Sequence, residues 1–139
     1  MPGTLVDVVD WRQVWNDAGS GASADLALWQ GVSPSLEYIC LASFFTRSHK
    51  KPSPALTALT KDIKAVHINA LGPAYAKFEI WTDRGSGARQ DGAVWQVGTT
   101  IYVIETGAFV AVRGYGNPPA PLYGIRRDAM RSIKADEEE

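Results

Sequence analysis

Apolar and polar residues alternate with a period of two along much of this chain, a pattern typical of β-strands that bury one face. In one clear case, Asp25, Ala27 and Trp29 share one face of a segment, and the residues between them share the other. The segment that begins at Asp91 repeats this alternation. Further strands are predicted over residues 36–45, 56–60, 66–69, 100–105, 108–113 and 122–126. The pattern predicts an all-β protein, with helix confined to short turns such as one near residues 125–132.

The pattern of the first half returns in the second half, 66 residues further along the chain. Residues 14–30 match residues 80–96 at ten of seventeen positions, and the correspondence extends well beyond this block. The repeats therefore run from about 10–65 and from about 76–131. Since no Gly/Ser/Pro linker separates them, we predict a single, pseudo-symmetric antiparallel β domain over residues 1–135.

Each repeat carries a glycine-rich loop between two predicted strands. The loops share one pattern: Asp17, Gly19, Ser20, Gly21 and Asp25 in the first repeat, and Asp83, Gly85, Ser86, Gly87 and Asp91 in the second. Carboxylate acceptors, exposed backbone amides and a nearby Trp ring are groups that bind sugars, so these residues are the candidate ligand-binding site. The alternative is structural. Glycine supplies positive φ values in a tight turn, and an Asp side chain caps the backbone.

The same loops offer little for catalysis or metal binding. The two carboxylates of a loop could hold Ca²⁺ together with backbone carbonyls, since this ion takes about six to eight oxygen ligands, but two charged ligands are too few for a calcium site to be the expectation. The serines lie in Gly-Ser-Gly rather than in the Gly-x-Ser-x-Gly of hydrolases, and only His49 and His67 are available as bases. We therefore expect no catalytic residue, no metal and no cofactor, in a protein that is not an enzyme.

Four of the five tryptophans occupy repeated positions, which favours a role in the core. They are Trp15, Trp29, Trp81 and Trp95. Trp11 has no aromatic counterpart, because Lys77 takes its place, and it is predicted to be peripheral, as an exposed platform or an interface anchor. Cys40 is the single cysteine and has apolar neighbours, which predicts a buried thiol.

The net charge is −1 with both signs interspersed, which excludes the basic surface that nucleic-acid binding requires. One basic cluster lies in the first repeat: Arg47, His49, Lys50 and Lys51. It matches the polar, proline-rich stretch that begins at Tyr115 in the second repeat. A solvated loop is the default interpretation. The alternative is attraction to anionic lipid headgroups, with Phe44 and Phe45 as an apolar wedge.

The two ends of the sequence carry no targeting pattern. Residues 1–5 lack the charged and apolar regions of a signal peptide, and no apolar run approaches the length of about 18 residues that a membrane-spanning helix needs. Residues 136–139 form an acidic tail. These features predict a cytoplasmic protein, or one that is secreted without a classical signal peptide.

The order of motifs in each repeat resembles that of the vacuolar protein sorting 62-like proteins. A Val-Trp strand at 14–15 and a glycine loop are followed by a strand ending at Trp29, the segment 37–42 and the closing motif 56–62. The resemblance implies a fold related to β-prism modules, which bind membranes or glycans, and it implies no catalytic residues. A threefold prism has three sheets, so two repeats leave the third to be assembled from both units or from a second chain, as in a homodimer.

Together, these features predict a non-catalytic recognition protein. The leading hypothesis is lectin-like carbohydrate binding through the duplicated loops. The alternative is a module that binds membranes or lipid headgroups, as one component of a pore-forming or trafficking system. The expected partner is a glycan or an anionic membrane surface and not a nucleic acid.

Overall fold

The structure is a computed structural model that describes residues 4–52, 63–105, 108–119 and 121–130. The strand predicted at 56–60, the closing motif at 56–62 and the acidic tail lie outside the described residues.

Ten β-strands and two 3₁₀ turns make up the regular structure of the described residues, which confirms the all-β prediction. The strands are β1 (Leu5–Asp7), β2 (Asp10–Asn16), β3 (Ala27–Val32), β4 (Tyr38–Cys40), β5 (Ser43–Thr46), β6 (Lys64–His67), β7 (Leu71–Thr82), β8 (Gly92–Thr99), β9 (Phe109–Arg113) and β10 (Leu122–Ile125). The 3₁₀ turns are Ile68–Ala70 and Arg127–Ala129.

The strands form three antiparallel sheets, with the orders β1-β6-β4, β2-β3-β5 and β10-β7-β8-β9. Strands of all three sheets border a largely apolar cavity of about 650 Å³, so the sheets face a common interior. This three-sheet arrangement agrees with the β-prism-like expectation. The third sheet, β1-β6-β4, is built within one chain and from its first half, so the fold does not require a second chain to complete it.

The pairing of strands repeats with the same offset as the sequence. Trp15 pairs with Leu28 across β2 and β3, and Trp81 pairs with Val94 across β7 and β8, 66 residues later in both strands. A β-bulge precedes each of these tryptophans. Since a bulge adds one residue to a strand and increases its local twist, both copies present the following glycine loop in the same way.

The repeats differ in how their first strands are arranged. In the first repeat, β1 and β2 belong to different sheets, whereas the equivalent residues of the second repeat form the single twelve-residue strand β7. The first part of β7 pairs with β10 and the remainder pairs with β8.

The prediction that Trp11 is peripheral was wrong, because its side chain is buried beside the Phe44 ring, with the centroids 5.0 Å apart. Trp11 lies opposite Gly31, where an added Cβ would be 3.1 Å from the Trp11 ring and 2.5 Å from Cys40 Sγ. Val97 occupies the position of Gly31 in the second repeat. There Val97 pairs with Ala76, and the exposed Lys77 lies at a β-bulge, so the packing of Trp11 on Gly31 has no counterpart in the second repeat.

Two predicted strands are not formed as expected. The segment 36–45 is divided between β4 and β5, which belong to different sheets. The segment 100–105 is a turn whose Val103 makes one isolated bridge to Arg126. Val103 is buried against Gly72 and Gly124, so its apolar side chain is part of the core without being part of a strand.

The other core predictions hold in part. Trp15, Trp29 and Cys40 are buried, and burial raises the pKa of the Cys40 thiol. Trp81 and Trp95 are half-buried. Within the described residues, no helix has the length and apolar character that crossing a bilayer requires.

Candidate functional site

The first glycine loop, residues 17–25, is organised by the Asp17 carboxylate. Its Oδ1 accepts a hydrogen bond from the Leu26 backbone N–H at 3.0 Å, and its Oδ2 accepts one from the Ser20 hydroxyl at 3.0 Å. Ser20 Oγ in turn accepts from the Ala22 N–H at 3.2 Å. The Asp and Ser side chains are thus used inside the loop, where they satisfy backbone donors.

The second glycine loop, residues 83–91, repeats this network. Asp83 Oδ1 accepts from the Gly92 N–H at 2.9 Å, and Oδ2 accepts from the Ser86 hydroxyl at 3.1 Å. Ser86 Oγ accepts from the Ala88 N–H at 3.1 Å. The glycines of both loops have positive φ values, which favour glycine over residues with a Cβ. The structural interpretation therefore accounts for the Asp that begins each loop and for its Ser.

Hydrogen bonding lowers the pKa of the Asp17 and Asp83 carboxylates, which begin the two glycine loops. For Asp17, the main cause is the hydrogen bond with His49. For Asp83, burial acts to raise the pKa, but hydrogen bonds from the Gly92 amide, Tyr115 and Ser86 together outweigh it. Both carboxylates are therefore held in the charged form inside their loops.

In each repeat, one side chain from outside the glycine loop contacts both Asp residues of that loop. His49 Nε2 lies 2.6 Å from Asp17 Oδ1 and 3.9 Å from Asp25 Oδ1. In the second repeat, the hydroxyl of Tyr115 is hydrogen-bonded to Asp83 and Asp91, and these bonds raise the pKa of Tyr115. Position 115 follows position 49 by the repeat offset, so the same backbone position carries His in one repeat and Tyr in the other.

Sequence reasoning placed His49 in the candidate lipid site and missed its contact with the first glycine loop. The offset of 66 pairs His49 with Tyr115 and was the available signal. Of the other basic residues, Lys51 pairs with Asp10 at 3.3 Å, whereas Arg47 and Lys50 are exposed. Phe44 packs against Trp11 and is half-buried, so it does not form the expected wedge.

The two glycine loops are in direct contact, although their sequences are far apart. The Arg89 N–H donates to the Ala18 carbonyl at 2.8 Å. Trp15 Nε1–H donates to the Gln90 carbonyl at 2.9 Å, and Gln90 Oε1 accepts from the Asn16 N–H at 3.3 Å. The repeats therefore build one composite site rather than two separate ones.

An open cleft of about 510 Å³ lies between the loops, lined by six residues of each repeat. Trp81 and the buried Trp15 are among its lining residues, and their rings meet edge to face with centroids 5.2 Å apart. Arg84 also lines the cleft, and its guanidinium lies 4.1 Å from the centre of the Tyr115 ring. The cleft combines an aromatic surface with charged and backbone polar groups.

The ten candidate residues have different places around this cleft. Six of them line it: Asp17, Ser20, Gly21, Asp83, Gly85 and Ser86. Gly19 lies under the Arg89 side chain, and Gly87 lies near the Gly19 carbonyl. Asp25 is beside His49, and Asp91 is beside Tyr115.

One group of side chains among the described residues has the composition and spacing of a metal site. The ligand atoms of Asp17, Asp25 and His49 all lie within 4.8 Å of one another. This group adds a nitrogen donor to the two carboxylates that the sequence identified.

No family model matches this chain, and no curated protein matches it at a significant level. Among solved structures, the chain is similar to GNIP1Aa from Chromobacterium piscinae. The two are 27% identical with a TM-score of 0.75 over 99% of this chain. The match covers 28% of the GNIP1Aa chain, so this chain spans little more than a quarter of that protein. The likeness supports the all-β fold.

Proposed function

We propose that this chain is a non-catalytic recognition module that binds carbohydrate in the cleft between the two glycine loops. The observation that carries the proposal is the convergence of the duplicated loops on one cleft that is also lined by the half-buried Trp81. The resemblance to vacuolar protein sorting 62-like proteins stays a prediction, and it implies the same class of function.

The chemistry of the cleft suits a sugar better than a purely apolar ligand. A pyranose ring has an apolar face that packs on an aromatic ring, and hydroxyl groups that need donors and acceptors. Trp81 provides a half-buried aromatic surface, and Arg84 provides guanidinium donors. The exposed backbone of Gly21 and Gly85 allows close approach, because a Cβ at either position would have no neighbour within 4 Å.

Because Asp17 and Asp83 hold their own loops together by hydrogen bonds, they are poor choices for substitutions that test this proposal. Replacing Asp17 or Asp83 removes an acceptor that the loop itself uses, so a loss of binding in such a variant would not distinguish ligand contact from loop collapse. Exposed residues at the cleft margin are better targets.

Ala22 and Ala24 form a matched pair for this purpose. Both are exposed residues of the first glycine loop, but Ala22 lines the cleft and Ala24 is not among the lining residues described. We expect Ala22→Trp to fill the cleft and Ala24→Trp to leave it open. After a glycan array has identified a bound sugar, calorimetry should show that Ala22→Trp weakens binding by about tenfold or more, which is about 1.4 kcal/mol.

Ala24→Trp should bind as the original chain does, and both variants should have the same thermal midpoint. Equal affinity of a folded Ala22→Trp variant and the original chain would exclude the cleft as the sugar site. An array without a bound glycan would exclude the proposed function itself.

A second candidate function is binding to an anionic membrane surface, and it is favoured by an exposed apolar turn. Ile101 is 77% exposed and Tyr102 is 71% exposed. Arg127 donates to the carbonyls of both residues, which brings positive charge to the turn. The equivalent of Tyr102 in the first repeat, Leu36, is 98% exposed. An apolar tip beside cations is the arrangement that interfacial binding uses.

Co-sedimentation with phosphatidylserine vesicles tests this candidate. We expect the double substitution Ile101→Ser and Tyr102→Ser to reduce the bound fraction, because it removes the inserted apolar surface. Tyr75→Ser changes an exposed aromatic residue on the strand β7 and should have no effect. Equal sedimentation of the double variant and the original chain would argue against the turn.

A further inference from the structure

We infer that Asp17, Asp25 and His49 form a binding site for a divalent transition-metal ion, of which Zn²⁺ is the best match, in the first repeat only. This inference is separate from the proposed sugar binding and does not depend on it. Three observations support it: the composition of the ligand set, its geometry and the substitution of His by Tyr in the second repeat.

The ligand set contains one imidazole nitrogen and two carboxylates. Zn²⁺ is bound in proteins by such nitrogen and oxygen donors, and a site with three protein ligands leaves one position for water or another ligand. Ca²⁺ takes about six to eight oxygen ligands and seldom uses nitrogen, so the presence of His49 favours a transition metal over calcium.

The three ligands come from different segments but lie close together. Asp17 follows β2, Asp25 precedes β3, and His49 follows β5. All three ligand atoms are within 4.8 Å of one another. Two donors on a tetrahedral Zn²⁺ lie about 3.4 Å apart. His49 Nε2 and Asp17 Oδ1, now hydrogen-bonded at 2.6 Å, would therefore separate by less than about 1 Å to admit the ion.

The surroundings favour this small adjustment. The Asp17 carboxylate is oriented by the Leu26 amide and the Ser20 hydroxyl, which are the kind of outer partners that fix a metal ligand. The His49 carbonyl accepts a hydrogen bond from Gln13 Nε2 at 3.2 Å, which holds the backbone near the loop. The Asp25 side chain is 61% exposed, so it can rotate toward an ion.

The second repeat provides an internal control. Its scaffold keeps both carboxylates, Asp83 and Asp91, but places Tyr115 where the first repeat has His49. The Tyr115 hydroxyl is hydrogen-bonded to both carboxylates and supplies no imidazole nitrogen, so this loop lacks the donor that His49 provides. The two loops therefore share a fold and differ in one donor.

Zinc titration of the tag-free protein tests the inference. Calorimetry measures how many equivalents of Zn²⁺ bind, and the visible absorption of added Co²⁺ reports the coordination geometry. The original chain should bind one equivalent of Zn²⁺, and Co²⁺ should give the intense bands of a four-coordinate site. His49→Tyr copies the second repeat, so it should retain the fold and lose the site. Asp25→Asn, at an exposed position, should weaken binding by about tenfold or more because it removes one of three ligands.

The reverse substitution, Tyr115→His, should raise the stoichiometry from one to two. Equal zinc binding by the original chain and His49→Tyr would overturn the inference. A folded Tyr115→His variant that still binds one equivalent would overturn the claim that the loop scaffold supplies the remaining ligands. None of these measurements needs a glycan, so a failure here leaves the proposed sugar binding untouched, and the converse also holds.

Discussion

At the scale of single residues, the two repeats carry different side chains at equivalent positions. Position 49 and its equivalent 115 change a nitrogen donor into a hydroxyl while both contact two carboxylates. Trp11 packs in the space that Gly31 leaves, whereas the second repeat has Lys77, which is exposed, and Val97 at these positions. The repeats therefore differ in the side chains that contact the loop carboxylates and in the packing of the core.

The close packing of Trp11 and Cys40 on Gly31 predicts that this glycine is required for the core of the first repeat. Gly31→Ala should lower the free energy of unfolding by about 1–3 kcal/mol, because the added methyl group would contact Cys40 Sγ and the Trp11 ring too closely. Urea denaturation measures the difference. Gly116→Ala is the control, because an added Cβ there has no neighbour within 4 Å, and it should change stability little. Equal stability of the two variants would contradict the packing argument.

At the scale of the element, each glycine loop is a folded unit held by one carboxylate. Asp17 and Asp83 each accept from a backbone amide nine residues later and from a serine hydroxyl three residues later. The loop shape therefore depends on these carboxylates being ionised, which ties it to pH.

The lowered pKa of Asp83 predicts a stability loss in acid. Its pKa in the folded chain lies below the ordinary value of 3.8, so the unfolded chain takes up the proton first as the pH falls. The stabilisation by Asp83 is complete above about pH 5 and decreases as the pH falls through 3.8 toward its folded value. Asp83→Asn keeps an acceptor for the Gly92 amide but has no proton to gain.

Thermal unfolding of both proteins between neutral and acid pH measures this effect. The midpoint of the original chain should fall more steeply in acid than that of Asp83→Asn, so the difference between them should shrink as the pH decreases. Parallel pH profiles would show that Asp83 is not a source of acid sensitivity.

The sequence predicted the loops better than it predicted the strands around the third sheet. Repetition marked Asp17, Ser20 and their equivalents, since a duplicated loop conserves its internal hydrogen bonds along with its shape. Alternation did not separate β4 from β5, because both are short and apolar and the change of sheet occurs within two residues. The sequence predicted a strand at Val103, because a buried apolar residue is expected both in a strand and in a turn that packs against glycines. Contacts between loops, such as Arg89 with Ala18, depend on tertiary packing and leave no periodic pattern.

At the scale of the whole molecule, the two repeats are joined through their loops and their tryptophans. Trp15 of the first repeat donates to Gln90, packs edge to face on Trp81 and lies against Gly92. Arg113 Nε, in the second repeat, donates to the Val14 carbonyl at 3.2 Å. Each repeat therefore supplies part of the interior of the other, and the proposed sugar-binding cleft exists only when both are folded.

This interdependence predicts that the chain unfolds in one cooperative step. If either repeat opened alone, it would expose Trp15 or the face of Gly92 that Trp15 covers, and it would leave the Trp15 indole N–H without its acceptor. The urea transition can be followed by tryptophan fluorescence, which reports the contact between repeats, and by far-ultraviolet circular dichroism, which reports all three sheets. The two transitions should therefore coincide.

Trp15→Phe removes the bond to Gln90 and should lower the midpoint of both transitions equally, with a cost of about 1 kcal/mol or more for the buried hydrogen bond. Separate transitions would mean that the repeats are independent domains in contact, and a ligand bound in the cleft would then stabilise only the association of the repeats and not the fold of each.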